Sequence, residues 1–296
     1  MCRRAGCGTM DSISERKEDM TQQQPKRILC IHDLSGAGRS SLCAILPALA
    51  VMGHQPVPLP TALLSTHTGG LGRPAVLNTD AYTLRALEHY HSLGLEFDCI
   101  YTGYLSSEEQ LALVRRAFAL WPKALKVTDP VMGDGGRLYS GLSRALCQGM
   151  REICGLADLI TPNLTEACYL LGRPMPGRLD REEALCLAQE LAGHYGQVVV
   201  TGLPLGRDLA NAGARRGEKG FLVERTRLDT NYPGTGDLFA AVLVGELLRG
   251  GSLEKAAELA AGFVADCIAA TPKTADTRLG VWLEPHLGRL APGGER

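Results

Sequence analysis

Short apolar segments alternate with amphipathic segments from residue 27 almost to the C-terminus, and this alternation limits what the chain can fold into. The apolar segments, which are typical of buried strands, are RILCIHD, DCIYTGYL, ALKVTDPV, ADLITPN and QVVVTG. Segments with helical spacing, such as GRSSLCAILPALAVMG and DREEALCLAQELAGHYG, lie among them. Strands that alternate with helices predict βαβ units, in which a mostly parallel sheet carries helices on both faces. We therefore expect an α/β protein.

The alternation shows no repeat period and no linker, so we predict a single domain over residues 26–290. Residues 1–25 are polar and lack an apolar signal core, and we expect a disordered N-terminal tail there. The formal net charge of −1 gives no basic surface for nucleic acid, and no apolar run reaches the length of about 18 residues that a membrane span needs. The ten cysteines contain no CxxC pair, which argues against a zinc ribbon and favours a reduced, cytoplasmic protein.

Ligands of open α/β sheets bind at the carboxyl ends of the strands. This rule selects the loops HDLSGAG, STHTGG, TGY, DPVMGDGG and TPNLTE. The segment GTGD, at the start of a predicted C-terminal helix, joins them because helix N-termini attract anions. We expect these six segments to form the functional site.

In GTGD, Gly234 and Gly236 let backbone N–H groups crowd around an anion, and Thr235 adds a hydroxyl donor. Such a site can stabilise the charge of a phosphoryl group in transfer. Asp237 would face that group and could accept a proton from an attacking hydroxyl. The same four residues also fit a simple helix cap with flexible glycines.

Oxygen-bearing side chains follow two further predicted strands. Asp129 and Asp134 belong to DPVMGDGG, and Asn163 and Glu166 belong to TPNLTE. Carboxylate and amide oxygens suit Mg²⁺, which keeps several waters and binds phosphates. Asn163 and Glu166 also have the spacing of a capping box, and the two roles are compatible. Opposite a glycine-rich anion site, these loops favour phosphoryl transfer from a magnesium–nucleotide complex.

Two other classes of function stay open at this point. The sequence has no GxxxxGKS/T motif and so is not a P-loop enzyme, but GAGRSS after the first strand imitates a dinucleotide fingerprint. Ser41 stands where that fingerprint needs its third glycine or an alanine. The alternatives are therefore an NAD-dependent Rossmann dehydrogenase and a non-catalytic nucleotide-binding regulator.

Taken in order, GTGD, DPVMGD and NLTE resemble motifs of the ribokinase-like small-molecule kinases. More narrowly, STHTGG, TGY, DPVMGDGGRLYS, ADLITPN and PGTGDLFAA resemble the vitamin B6 kinases, over about residues 27–290. The resemblance implies a ribokinase-like three-layer fold and ATP-dependent phosphorylation of the 5'-hydroxymethyl group of pyridoxal, pyridoxamine or pyridoxine. It implies ATP as co-substrate, Mg²⁺, room for a monovalent cation such as K⁺, and a homodimer that binds neither nucleic acid nor membrane.

The resemblance also implies roles for individual residues. Asp237 would be the base that deprotonates the substrate hydroxymethyl, beside an anion hole formed by Gly234, Thr235 and Gly236. Asp129 and Glu166 would hold the metal, partly through water. The residues along the nucleotide would be Asp134, Thr161, Asn163, Glu166 and Thr201. The residues lining the pyridine pocket would be Asp33, His67, Thr68 and Tyr104.

The chain departs from the B6 kinase pattern at two places. Asp33 stands where these kinases often carry serine, and DLSGAG is closer to the DPSGGAG loop of hydroxymethylpyrimidine kinases. Gly70 replaces an aromatic residue of the pyridoxal kinase stretch SNHTGY. A hydroxymethylpyrimidine kinase of thiamine synthesis is therefore an alternative. His67 also fits a structural role, in which it holds its loop through a backbone hydrogen bond.

Overall fold

The computed structural model describes residues 24–139, 142–227 and 232–293. Most of the tail predicted to be disordered, residues 1–23, lies outside the described residues, and that expectation stays a prediction. Residues 140–141 of DPVMGDGGRLYS and residues 228–231 ahead of the GTGD helix also lie outside them.

Within the described ranges, nine strands form one sheet and two short strands form a separate hairpin. The sheet strands are β1 (Arg27–Ala37), β2 (Gln55–Thr66), β3 (Val76–Asn78), β4 (Cys99–Thr102), β5 (Leu125–Thr128), β8 (Leu159–Ile160), β9 (Gln197–Leu205), β10 (Asp208–Arg215) and β11 (Phe221–Thr226). The hairpin pairs β6 (Gly133–Asp134) with β7 (Arg137–Leu138), inside the DPVMGDGG loop region.

The sheet order is β11-β10-β9-β8-β5-β4-β1-β2-β3. The six central strands from β9 to β2 are parallel, while β3 closes one edge and β10 and β11 close the other in antiparallel fashion. Strands β10 and β11 form an antiparallel hairpin that extends the main sheet beyond β9. Along the chain, the parallel strands run out from β1 in both directions, so the topological switch point lies between β1 and β4.

Two short 3-10 helices, Thr277–Leu279 and Leu287–Leu290, and eight α-helices complete the described fold. The α-helices are α1 (Leu42–Val51), α2 (Asp80–Ser92), α3 (Glu108–Leu120), α4 (Arg144–Leu156), α5 (Leu164–Leu171), α6 (Arg181–Tyr195), α7 (Thr235–Leu248) and α8 (Leu253–Ala270). Because successive side chains of a strand point to opposite faces, β1 contributes side chains to two hydrophobic cores. Leu29 and Ile31 pack with α2–α6 on one face, and Ile28 and Cys30 pack with α1, α7 and α8 on the other. The predicted α/β fold, with a mostly parallel sheet between two helical layers, is confirmed.

The middle of helix α7 is apolar on every side, and it is buried within the helical layer that also contains α1 and α8. Its residues from Leu238 to Gly245 are all buried. They pack against α1 and α8, so the GTGD segment at the start of α7 is anchored by a rigid element. No helix in the described parts of the chain is long and apolar enough to cross a membrane.

Candidate active site

The start of α7 contains a glycine whose backbone conformation and close contacts disfavour a side chain. Gly234 is the N-cap of this helix and adopts φ +81°, in the left-handed region. A Cβ at Gly234 would collide with the carbonyl oxygen of Arg39, so the backbone ahead of α1 packs directly onto the backbone ahead of α7. The Thr235 hydroxyl donates to the carbonyl of Tyr232 at 3.1 Å. The predicted anion hole therefore sits where two loops of the sheet edge meet.

Gly236 differs from Gly234 in its surroundings. It is exposed in the first turn of α7, and a Cβ there would meet no other atom within 4 Å. Packing among the described residues therefore does not require glycine at position 236, although glycine inside a helix is unfavourable. Open space over first-turn N–H groups is what a bound anion needs.

Asp237 is the third residue of α7 and does not cap it. Its Oδ2 accepts a hydrogen bond of 2.8 Å from the backbone N–H of Ser41, which lies 196 residues away. Burial raises the pKa of Asp237 to about 7, the Ser41 N–H opposes this rise, and the charge of Asp33 adds to it. A carboxylate with a pKa near the working pH is suited to accept a proton.

Asp129 lies at the end of β5 with 8% of its surface exposed. Its pKa is raised well above the usual range, first by burial and then by the charges of Glu166 and Asp237, while the Thr161 hydroxyl opposes the rise. The structure thus brings Asp129, Thr161, Glu166 and Asp237 into one electrostatic neighbourhood. A cation bound there would relieve the repulsion among the carboxylates.

Glu166, 3% exposed, has a structural role that the sequence also predicted. It completes a capping box with Asn163: Asn163 N–H donates to Glu166 Oε2 at 2.9 Å, and Glu166 N–H donates to Asn163 Oδ1 at 3.0 Å. Its other oxygen, Oε1, accepts from the N–H groups of Met132 and Gly133 at 2.9 and 3.5 Å. Burial still raises the pKa of Glu166 to about 8. The side chain therefore ties the start of α5 to the DPVMGDGG loop.

The other predicted nucleotide residues surround the same loop. Asn163 donates through Nδ2 to the carbonyl of Gly133 at 2.8 Å, and it forms a parallel bridge with Thr201 in the middle of β9. Asp134 is exposed and accepts the N–H of Gly135 at 2.8 Å. The structure thus brings Asp134, Asn163 and Thr201 to one edge of the sheet. Their contacts with a nucleotide stay a prediction.

The predicted pyridine-pocket residues come from β1, β2 and β4. Asp33 is 4% exposed, and both of its oxygens accept serine hydroxyls: Ser41 Oγ at 2.6 Å and Ser35 Oγ at 2.9 Å. Tyr104 is half-buried, and burial and the charge of Asp33 raise its pKa. Thr68 is exposed on the loop after β2.

His67 holds its loop through backbone contacts. Its Nδ1 accepts the N–H of Gly69 at 3.1 Å, so Nε2 carries the proton and donates to the carbonyl of Arg278 at 2.5 Å. The structural role expected as an alternative for His67 is thus present in the described residues. A substrate contact for His67 remains a prediction.

This set of side chains fits magnesium that arrives bound to a nucleotide. No group of three or more His, Cys, Asp or Glu side chains among the described residues is arranged to hold a metal. Mg²⁺ that arrives on phosphates needs only one or two protein carboxylates and retains waters. We predict that Asp129 would meet that need directly, while Glu166, whose oxygens already accept three N–H groups, would act through water.

Two residues of this region were not among the predicted site residues. In the sequence, Ser41 stands out only as a departure from the dinucleotide fingerprint. Its contacts were not predictable because they depend on an unusual backbone conformation. Tyr101 is fully buried in β4, and the charges of Asp129 and Asp237 raise its pKa still further above the level set by burial. Its ring packs edge-on against His32 at 4.3 Å between centroids. A tyrosine in an apolar run gives no sequence signal of such neighbours.

A separate surface cleft lies elsewhere on the described part of the molecule. It has a volume of about 560 Å³ and is lined by residues that include Ala157, Gln197 and Arg215. These residues flank the amino ends of β8 and β9, at the edge of the sheet opposite to Asp129 and Asp237. No predicted site residue lines it, and the topological rule favours the carboxyl edge.

An open helix N-terminus, the carboxylate of Asp237 and acidic loops, on a sheet covered by helices on both faces, are the features expected of a small-molecule kinase of the ribokinase-like class. The family profile described as phosphomethylpyrimidine kinase matches residues 35–282. The chain belongs to this family. The resemblance to the ribokinase-like vitamin B6 kinases is confirmed by the relatives described next. Family membership counts against the Rossmann dehydrogenase alternative.

Several known proteins are similar over most of the chain. A pyridoxal kinase of Arabidopsis thaliana is 31% identical over 79% of this chain and 78% of its own length. A pyridoxine/pyridoxal/pyridoxamine kinase of Bordetella avium is 32% identical over 76% of this chain and 78% of its own. The crystal structure of pyridoxal kinase from Lactobacillus plantarum matches with a TM-score of 0.83 and 32% identity, covering 90% of this chain and 97% of that one. A Bacteroides thetaiotaomicron protein crystallised with pyridoxal matches with a TM-score of 0.85 and 37% identity, covering 90% and 96%.

Proposed function

We propose that this enzyme transfers the γ-phosphoryl group of ATP to the 5'-hydroxymethyl group of a vitamin B6 vitamer. The observation that carries the proposal is Asp237, a carboxylate with a pKa raised to about 7, in the first turn of a helix whose N-terminus is open to an anion. The pyridoxal kinases among the relatives, and the neighbour crystallised with pyridoxal, support the choice of substrate.

In this proposal each residue of the site has its own role in the reaction. Asp237 accepts the proton of the substrate hydroxymethyl as its oxygen attacks the phosphorus in line. The N–H groups at Gly234, Thr235 and Gly236 bind the oxygens of the transferring group and stabilise the charge that develops there. Asp129 and the loop held by Glu166 place the triphosphate, with Asp134, Asn163, Thr161 and Thr201 along the nucleotide. Bound Mg²⁺, held by Asp129 and through water by Glu166, would neutralise phosphate charge.

Asp33 lies in β1, His67 and Thr68 follow β2, and Tyr104 follows β4, all near the topological switch point, where the acceptor ring would bind. We also propose that residues 26–290 form one domain, that a monovalent cation such as K⁺ can assist the phosphates, and that the enzyme is a cytoplasmic homodimer. Val76 and Leu77, 63% and 60% exposed on the edge strand β3, support a dimer because an apolar edge strand is a surface that proteins cover.

A second acceptor, hydroxymethylpyrimidine, is favoured by the description of the matching family and by the DLSGAG loop. The test is ATP turnover with pyridoxal, pyridoxamine, pyridoxine and hydroxymethylpyrimidine in turn, with the phosphorylated product identified by mass spectrometry. We expect a B6 vitamer to give the highest kcat/KM and excess chelator to abolish turnover. Preference for the pyrimidine would replace the B6 assignment, and nucleotide binding without turnover of any acceptor would favour the regulator.

A further inference from the structure

We propose that Asp33 and Ser41 form a positioning unit for the catalytic base, in which Asp33 fixes Ser41 through its hydroxyl and the Ser41 backbone N–H fixes Oδ2 of Asp237, leaving Oδ1 for the substrate proton. The inference rests on the proposed role of Asp237. It gives Asp33 a role different from the ring contact that the family resemblance implies.

The backbone of Ser41 is the first observation. Its φ of +48° and ψ of −134° make it the non-glycine residue with positive φ in the described ranges. A side chain rarely adopts this conformation, and such strained residues persist only when their surroundings over-determine them. The conformation directs the Ser41 N–H to Asp237 across 2.8 Å, away from the helix that follows it.

The hydroxyl of Ser41 is the second observation. Serine at the N-cap of a helix usually accepts an N–H of that helix, but Ser41 makes no such bond with α1. Its Oγ donates to Asp33 Oδ1 at 2.6 Å, within a buried site where Ser35 Oγ occupies Oδ2 at 2.9 Å. Hydrogen bonds to a carboxylate are the stronger kind, so Asp33 is the group that can hold Ser41 in its unfavourable conformation.

The two loops meet at a second point as well, which makes the placement rigid. The carbonyl of Arg39 and the backbone of Ser40 lie directly over Gly234, and the Arg39 N–H donates to the carbonyl of Leu279 at 3.0 Å. The segment 39–41 therefore touches the start of α7 at the anion site and at the base. A shift of this segment would move Asp237 relative to the phosphates, and misplacement by about 1 Å can cost roughly a hundredfold in rate.

The test compares Ser41→Ala with Ser41→Gly by steady-state kinetics with pyridoxal and ATP. Both variants lose the hydroxyl, but glycine adopts positive φ freely and keeps the N–H in place. We expect Ser41→Ala to lower kcat roughly tenfold to a hundredfold with KM changed less than about threefold. Ser41→Gly should retain several times more kcat than Ser41→Ala. Ser252→Ala, which removes a serine N-cap from α8 far from the site in sequence, is the matched control and should keep kcat.

A double-mutant cycle separates positioning from a direct ring contact. If Asp33 acts through the Ser41 hydroxyl, Asp33→Asn lowers kcat in the wild-type background but changes it less than about twofold in the Ser41→Gly background. If Asp33 reads the ring, its substitution raises KM equally in both backgrounds, and the proposal is overturned. Unchanged kcat in Ser41→Ala would overturn it too.

Amide hydrogen exchange at residue 41 provides a readout that needs no turnover. We expect protection in the wild type and in Ser41→Gly, and loss of protection in Asp33→Asn. If Ser41→Ala does not fold, the Asp33→Asn and Ser41→Gly pair still decides the result. A wild type that turns over no acceptor but shows this exchange pattern would refute the proposed function alone. An active wild type without the pattern would refute the positioning unit alone.

Discussion

Asp237 differs from an ordinary first-turn carboxylate in its burial, its hydrogen bond and its pKa. Acidic residues there are usually exposed and favour the helix dipole, and they need not have perturbed pKa values. Asp237 is partly buried, and its Oδ2 accepts a hydrogen bond from the backbone N–H of Ser41 in another loop. Burial raises its pKa to about 7. A cap and a base predict different consequences when the charge is removed.

Asp237→Asn should leave the protein folded and lower kcat roughly 10²–10⁴-fold, because a general base contributes about that much. Since burial disfavours the ionised form of Asp237, replacing it by a neutral amide should not lower the melting temperature at pH 8. Steady-state kinetics and thermal unfolding of the same preparation give both numbers. Near-normal turnover, or a large loss of stability with turnover retained per folded molecule, would return Asp237 to the role of a structural residue.

The pH dependence of kcat/KM should show the same group. A base must be deprotonated to act, so activity should rise with pH through an apparent pKa near 7. Asp33, Asp129 and Tyr101 interact electrostatically with Asp237, so this value belongs to the cluster as a whole. The residual activity of Asp237→Asn should lack this limb between pH 6 and about 8. An acidic limb of equal size in the variant would assign the titration to another residue.

At the scale of one element, the start of α7 contains two glycines, one at the N-cap and one in the first turn. A different physical reason favours glycine at each of these two positions. Gly234 has positive φ and backbone atoms where its Cβ would be, whereas Gly236 has helical geometry and open space. Gly234→Ala should therefore lower the free energy of unfolding by roughly 2–4 kcal/mol. Gly236→Ala should leave stability unchanged or raise it by up to about 1 kcal/mol.

Activity should move in the opposite direction at Gly236, because a methyl group there would enter the space assigned to the phosphoryl oxygens. We expect Gly236→Ala to lose at least about tenfold in kcat/KM while its urea midpoint stays or rises. Gly193→Ala, at an exposed position of α6 where a Cβ would also meet no atom within 4 Å, lies outside the site and controls for general glycine effects. Full activity in Gly236→Ala would show that the transferring group does not bind over this turn.

The elements themselves were largely predictable, and their spatial arrangement was only partly so. The periodicity of segments such as DREEALCLAQELAGHYG predicts a helix, which α6 confirms together with its Asp180 cap. The strand order was not predictable, because no local pattern records which strand lies beside β1. The meeting of Asp129, Glu166 and Asp237 was expected only because parallel strands end at a common edge. Ser41 was missed because its role depends on a backbone angle and on a contact across 196 residues.

At the scale of the whole molecule, the carboxyl edge of the sheet concentrates negative charge that the fold does not neutralise. Asp129, Glu166 and Asp237 all have pKa values raised by burial. In contrast, the ion pairs Lys26–Asp98 and Arg115–Glu152 involve none of these carboxylates, and both of their partners are exposed. The site is therefore unfavourable for folding at alkaline pH and favourable for a ligand that brings positive charge.

Stability without ligand should fall as the pH rises from 5 to about 8. A carboxyl whose pKa is raised on folding, as for Glu166 from 4.5 to about 8, keeps its proton in the folded protein after the unfolded chain has lost it. The unfolded state then binds fewer protons, so the free energy of unfolding decreases with pH across that window, by about 1–3 kcal/mol after allowance for screening. Urea unfolding at pH 5, 6, 7 and 8 measures this decrease, and Glu166→Gln should flatten the dependence of the unfolding free energy on pH.

MgATP at about a hundred times its Kd should restore roughly 2.7 kcal/mol of unfolding free energy, with the larger gain at pH 8, because its metal favours the ionised carboxylates. Stability that rises steadily to pH 8 without ligand would mean that the hydrogen bonds to these carboxylates outweigh their burial.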